Sequence, residues 1–170
     1  LAYAEFEDHL SQGDLDLIES IFNSTLAQTG SVDAASSESF ARLLRPDVLH
    51  AHPEVAEHVM DAIIAIWAKR STTHRLALLH ADSLAFAEAL AYRISQTPFP
   101  AGHARAGRKP SVGFVSGSEV TFWRRSILDD GDGDTRISPR RGRRQLLDLA
   151  RAGDLDVLVN VATLGVRIDI

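Results

Sequence analysis

Cysteine is absent from this chain of 170 residues, which removes disulfides, thiolate-bound zinc and thiol catalysis together and fits an intracellular setting. No apolar stretch is as long as a membrane span and no basic-led leader opens the chain, so neither a membrane helix nor a secretory signal is expected. Positive charge is also short. The net charge of −5 gives no overall attraction to phosphate, so any nucleic-acid contact has to come from a local patch. What remains, 45% apolar and 24% charged residues, is the composition of a globular, water-soluble chain long enough for one domain and a piece of another. Leu1 in place of Met, and the apolar end Val166-Arg167-Ile168-Asp169-Ile170, predict that both termini are cuts within a longer protein.

Apolar residues at three- and four-residue intervals (Leu15, Ile18, Ile21, Phe22, Leu26) predict a helix from Tyr3 to about Thr29. The Ser-, Ala- and Gly-rich residues Gly30 to Ser37 have turn composition and lead to a short helix over Glu38–Leu44, which Pro46 interrupts. Pro53 suits a first helical turn, and Val55, Val59, Ile63, Ile64 and Trp67 continue it as an amphipathic helix to about Lys69. Residues 1–70 therefore read as a helical connector or part of a preceding segment.

Beyond residue 70 the pattern changes. Arg75 to His80 is a short apolar run ending at a helix cap near Asp82-Ser83, and the helix from Leu84 to about Ile94 carries Phe86, Leu90 and Ile94 on one face. Pro98, Pro100, Gly102 and Gly107 mark a loop before a second strand, Val112–Val115. The acidic, Gly-rich stretch Asp129–Asp134 reads as a surface insertion. Ser138-Pro139 opens a helix through Leu146, Leu147 and Leu149 that Gly153 closes, and Val157–Val159 is a third strand. Apolar strands alternating with helices predict an α/β fold, an open parallel sheet with helices on both faces. Ligands of such sheets bind beyond the carboxyl ends of the strands, here after His80, Val115 and Val159.

Those strand ends carry a resemblance. The string from Arg75 to Leu90, the stretch Val115-Ser116-Gly117-Ser118-Glu119, and the run from Arg140 through Ala152-Gly-Asp-Leu-Asp-Val-Leu-Val-Asn160 to Ile168-Asp-Ile170 follow one another in a known order. In that order they resemble the second, RecA-like motor domain of superfamily 2 DEAD/DEAH-type helicases, in the branch of DNA translocases and restriction-type motors. Phe86 stands where that family often has His. The resemblance implies a P-loop NTPase-like domain over residues 71–170, cut short at its C-terminus, within an ATP-dependent helicase or translocase. Its implied partners are DNA or RNA and the first motor domain of the same chain; its implied cofactors are ATP and Mg2+, held mainly by that first domain. By the same resemblance Ser116, Gly117 and Ser118, and Thr163, Leu164 and Gly165, contact the nucleic-acid backbone, with Arg140 and Arg141 beside them. Asp169 contacts ATP or its coupling network. Arg167 departs from the family, which usually has Gly there; a long cation either blocks the nucleotide or reaches its phosphates.

Three motor parts are missing from the sequence: a Gly-x-x-x-x-Gly-Lys-Ser/Thr loop, an Asp-Glu-x-His/Asp box and an Arg-rich closing motif. Catalysis needs these on facing domains, so this stretch alone is not expected to hydrolyse ATP. The implied location is intracellular, cytoplasmic or nucleoid-associated.

Plainer readings stand beside these. Arg136, Arg140, Arg141, Arg143 and Arg144 form either a phosphate track or a solvated helix start balanced by neighbouring acids. His50, His52 and His58 invite a zinc site but show no accompanying carboxylate pattern, and Asp132-Gly-Asp134 lacks the ligand series of a calcium loop, so no metal site is expected. Trp67 and Trp123 read as core. Two other functions remain open: a non-catalytic α/β scaffold or nucleic-acid-binding module that has lost ATP coupling, which Arg167 favours, and a small-molecule enzyme on a flavodoxin-like sheet. The latter needs a Gly-rich turn that His80–Ser83 does not supply.

Overall fold

In the computed structural model, which describes residues 9–43, 45–81, 83–117, 120–123, 134–137 and 139–161, the string Ser11-Gln12-Gly13-Asp14 forms a capping box. The Ser11 hydroxyl accepts the Asp14 N–H at 3.2 Å while Asp14 Oδ2 accepts the Ser11 N–H at 2.7 Å, so two donors that a helix start leaves unpaired are satisfied. Helix α1 (Gln12–Thr29) begins there, because the cap sets its boundary; residues 3–8 of the helix expected from Tyr3 lie outside the described residues. Gly30, with a φ of 67°, takes the left-handed turn that ends it. Helix α2 (Val32–Leu43) starts two residues on, so the turn expected over Gly30–Ser37 shrinks to Gly30 and Ser31. The Ser31 hydroxyl accepts the Ala34 N–H at 3.3 Å, and the small residues that follow fit a helix as readily as a turn. Short helix α3 (Pro46–Ala51) and long helix α4 (Pro53–Ser71) each open on a proline, where the missing N–H costs nothing.

The chain divides into two compact units, Leu1–Ile66 and Trp67–Ile170. Within the first, Asp14 is 1% exposed and meets His58 Nδ1 of α4 at 2.7 Å. Burial pushes the Asp14 carboxyl up, but the hydrogen bonds from the Ser11 backbone and hydroxyl and from His58 outweigh it, and the group titrates below the ordinary 3.8. A carboxyl depressed on folding contributes stability above its unfolded value and loses it as the pH falls through the folded one. Chemical denaturation followed by circular dichroism is therefore expected to show helix stability falling below pH 3.8, with that dependence reduced in Asp14→Ala.

The second unit holds β1 (Ala77–Ala81), α5 (Leu84–Gln96), β2 (Val112–Val115), β3 (Val120–Trp123), β4 (Asp134–Ile137), α6 (Pro139–Ala152) and β5 (Val157–Val161). The strands form one open sheet in the order β1-β5-β2-β3-β4. Strands β1, β5 and β2 are mutually parallel, as the crossover helices require; β3 runs antiparallel to β2, and β4 to β3. The sheet is thus mixed rather than parallel throughout. Residues 116–119 are too few for a crossover, so β2 must turn back as a hairpin into the β-branched and aromatic run Val120-Thr121-Phe122-Trp123. Asp134 heads β4, and the rest of the acidic stretch lies outside the described residues.

All of β2 is buried, so both pleats of the sheet centre are covered. On one side Leu146 of α6 packs with Val115, Val120, Phe122, Leu155 and Leu158. A Cβ on Gly113 would stand 2.9 Å from Leu146 and 3.3 Å from Leu158, so this close approach of helix to sheet needs glycine. Helix α5, with Ala87, Leu90, Ala91 and Ile94 buried, lies against β1, β5 and β2, where the alternate pleat carries Val112, Phe114, Val157 and Val159. Trp67 is core, 5% exposed, with its ring 5.5 Å from that of Phe99. Among the described residues no helix is long and apolar enough to cross a membrane.

One residue joins the amino ends of the three parallel strands. The Asp156 carbonyl accepts the Ala77 N–H at 2.9 Å, its N–H donates to the Ser111 carbonyl at 3.0 Å, and its carboxylate accepts the Ser111 N–H at 2.8 Å. The same carboxylate, 5% exposed, takes two hydrogen bonds from the Arg105 guanidinium, which lies 4.5 Å above the Phe99 ring. Asp156→Ala leaves Ser111 and Arg105 without their acceptor and is expected to cost about 3 kcal/mol in urea unfolding. Asp154→Ala, at an exposed neighbour, is expected to cost under about 0.5 kcal/mol.

Candidate functional site

The directions of the strands place the ends of β1, β5, β2 and β4 along one edge of the sheet. Helices α5 and α6 follow β1 and β4, so both begin at that edge and point their N-terminal, partly positive ends toward it. The Ser83 hydroxyl caps α5 by accepting the Phe86 N–H at 3.3 Å. Helix α6 has no acidic residue in its first turn; Arg140 and Arg141 open it, followed by Arg143 and Arg144.

Along the α6 side of this edge the register sets His80, Asn160 and Val115 side by side. His80 is exposed, and its Nδ1 lies 3.3 Å from Asn160 Nδ2 across the β1–β5 pair. Where β2 ends, Ser116 is buried and Gly117 exposed. Arg143 reaches them from α6: a single guanidinium nitrogen donates to the Ser116 carbonyl at 2.8 Å and to the Gly117 carbonyl at 3.0 Å. Arg144 is exposed beside it. The edge therefore offers two helix ends, exposed positive charge and uncharged hydrogen-bonding groups, a combination suited to an anion.

Of the residues singled out from the sequence, Ser116 and Gly117 lie at the end of β2, and Arg140 and Arg141 lie in the opening of α6 on the same edge. Ser118, Thr163, Leu164, Gly165, Arg167 and Asp169 lie outside the described residues. The functional bearing of His80 and Asn160 escaped sequence reasoning, because nothing in a strand's text says which other strand it will pair with. Arg143 offered a signal: it precedes Leu146 and Ala150 by three and seven residues, so it shares their inward stripe and had to find a partner there. In the first unit His58 is committed to Asp14, and among the described residues no group of three His, Asp or Glu side chains could hold a metal ion.

No family model, curated protein or solved structure matches the chain.

Proposed function

We propose that this chain is part of an ATP-dependent nucleic-acid helicase or translocase, a RecA-like second motor domain that closes on a first motor domain around ATP while gripping the nucleic-acid backbone. The observation that supports it most is the charge at the opening of α6. A helix start favours acids, and a cation there generally costs about 0.3–1 kcal/mol. Arg140 and Arg141 stand in that first turn, with Arg143 and Arg144 directly after it, in a chain of net charge −5, an arrangement that serves the fold poorly and suits a polyanion outside it. The edge they occupy is also where the parallel strands end, the place where open α/β sheets take ligands.

ATP and Mg2+ belong in this reading to the first motor domain, which supplies the phosphate loop and the metal carboxylate; Arg167 and Asp169 would face the nucleotide from this side. The share of this chain is the grip on the strand, through Ser116–Ser118, Thr163–Gly165 and Arg140, Arg141 and Arg144 of α6. A motor of this kind works inside the cell, in the cytoplasm or on the nucleoid. Arg167, where related motors usually have Gly, favours a second reading: a scaffold that keeps the grip and has lost ATP coupling. DNA-stimulated ATP hydrolysis by a protein carrying both motor domains separates the two, since only the motor hydrolyses and only the motor loses activity in Asp169→Ala.

For the grip itself, titration of labelled DNA and RNA oligonucleotides with the 170-residue chain is expected to give binding that weakens with salt, at a log–log slope of about −2 to −3. Arg144→Ala is expected to flatten that slope by about 0.7–0.9. Binding that ignores salt, or none at all, contradicts the proposal.

A further inference from the structure

Arg143 differs from the arginines around it. Both of its hydrogen bonds go to main-chain carbonyls, at 2.8 Å to Ser116 and 3.0 Å to Gly117, and both come from one nitrogen. Its Nε is buried without a hydrogen bond, and the residue as a whole is half-buried. Arg144, the next residue, is exposed. Neighbouring side chains on a helix point about 100° apart, so the two leave the helix in different directions. The carbonyls that Arg143 holds belong to the two residues that follow β2.

We infer that Arg143 is a positioning residue: it braces the Ser116–Gly117 turn from the α6 side, fixing the height of that turn against the helix opening so that the turn and Arg144 meet one nucleic-acid backbone together. This rests on the strand-gripping reading of the edge. Neutral carbonyls leave the guanidinium its full charge, so the geometric share of Arg143 is read from a variant that keeps the charge and shortens the reach. An unbraced turn has to be ordered at the moment of binding, and that cost is independent of salt.

Labelled oligonucleotide titrations at several salt concentrations test this with Arg143→Lys, which keeps the charge with a shorter reach, beside Arg144→Ala. Thermal unfolding is recorded for each so that only folded protein is compared. The inference predicts binding roughly tenfold weaker in Arg143→Lys at every salt concentration with the slope unchanged, against a flatter slope in Arg144→Ala. If Arg143→Lys does not fold, Arg143→Met replaces it, and the roughly tenfold loss is expected to persist at the highest salt, where one lost charge counts least. Unchanged affinity, or a loss that disappears at high salt, overturns the brace and leaves the motor reading standing. No binding by the unaltered chain would remove both.

Discussion

Asp156 is buried where the three parallel strands begin, and every polar group it has is engaged: its carbonyl by β1, its N–H by the residue before β2, its carboxylate by Ser111 and Arg105. A charge in that place is tolerated only because each oxygen is met, and the same bonds fix how far β5 slides between its neighbours. The register follows from it. Ala77, Val157 and Val112 stand level at one edge, so His80, Asn160 and Val115 stand level at the other. The constraint at the amino edge thus sets the arrangement of the carboxyl edge, where the candidate site lies.

The two edges divide the work. At the amino edge Asp156 is buried and paired, and the loop carrying Arg105 is pinned through Phe99, on which His103 stacks at 4.1 Å. At the carboxyl edge His80, Gly117 and Arg144 are exposed, and two helices begin. Helix α6 connects the edges: Leu146 seals it to the sheet over Gly113, Arg143 ties its opening to the end of β2, and the chain beyond Ala152 turns through Gly153, with a φ of 77°, on its way to Asp156. Arginines at the wrong end of a helix dipole are held in place by that packing, which is why the charge cluster survives its own electrostatic cost.

Much of this architecture could be read in advance. The apolar runs at Val112–Val115 and Val157–Val159 are strands as expected, since continuous burial on both faces leaves no other use for such text. Pro139 and Gly153 bound α6, because a proline without an N–H and a glycine free to take positive φ leave little choice. The antiparallel β3–β4 pair was not anticipated, although Val120-Thr121-Phe122-Trp123 has strand composition; the direction of a strand depends on the length of its connection, not on its residues. The Ser- and Ala-rich start of α2 has turn composition yet is helical, since those residues serve caps, turns and helices alike. The site was legible only where it is local: the arginine cluster and the Ser-Gly turn stand out as strings, whereas the Arg143 bridge and the His80–Asn160 pair exist only through pairing across the sheet.

The claim on which the account turns is that the carboxyl edge of β1, β5 and β2 receives a nucleic-acid backbone. Backbone amide chemical shifts of the isotopically labelled chain, followed as an oligonucleotide is added, test it most directly. The account predicts the largest changes at Ala81, Asn160, Ser116, Gly117 and the opening of α6, with Ser111, Gly153 and Asp156 unmoved. Changes centred on those amino-edge residues, or spread evenly over the chain, would contradict it.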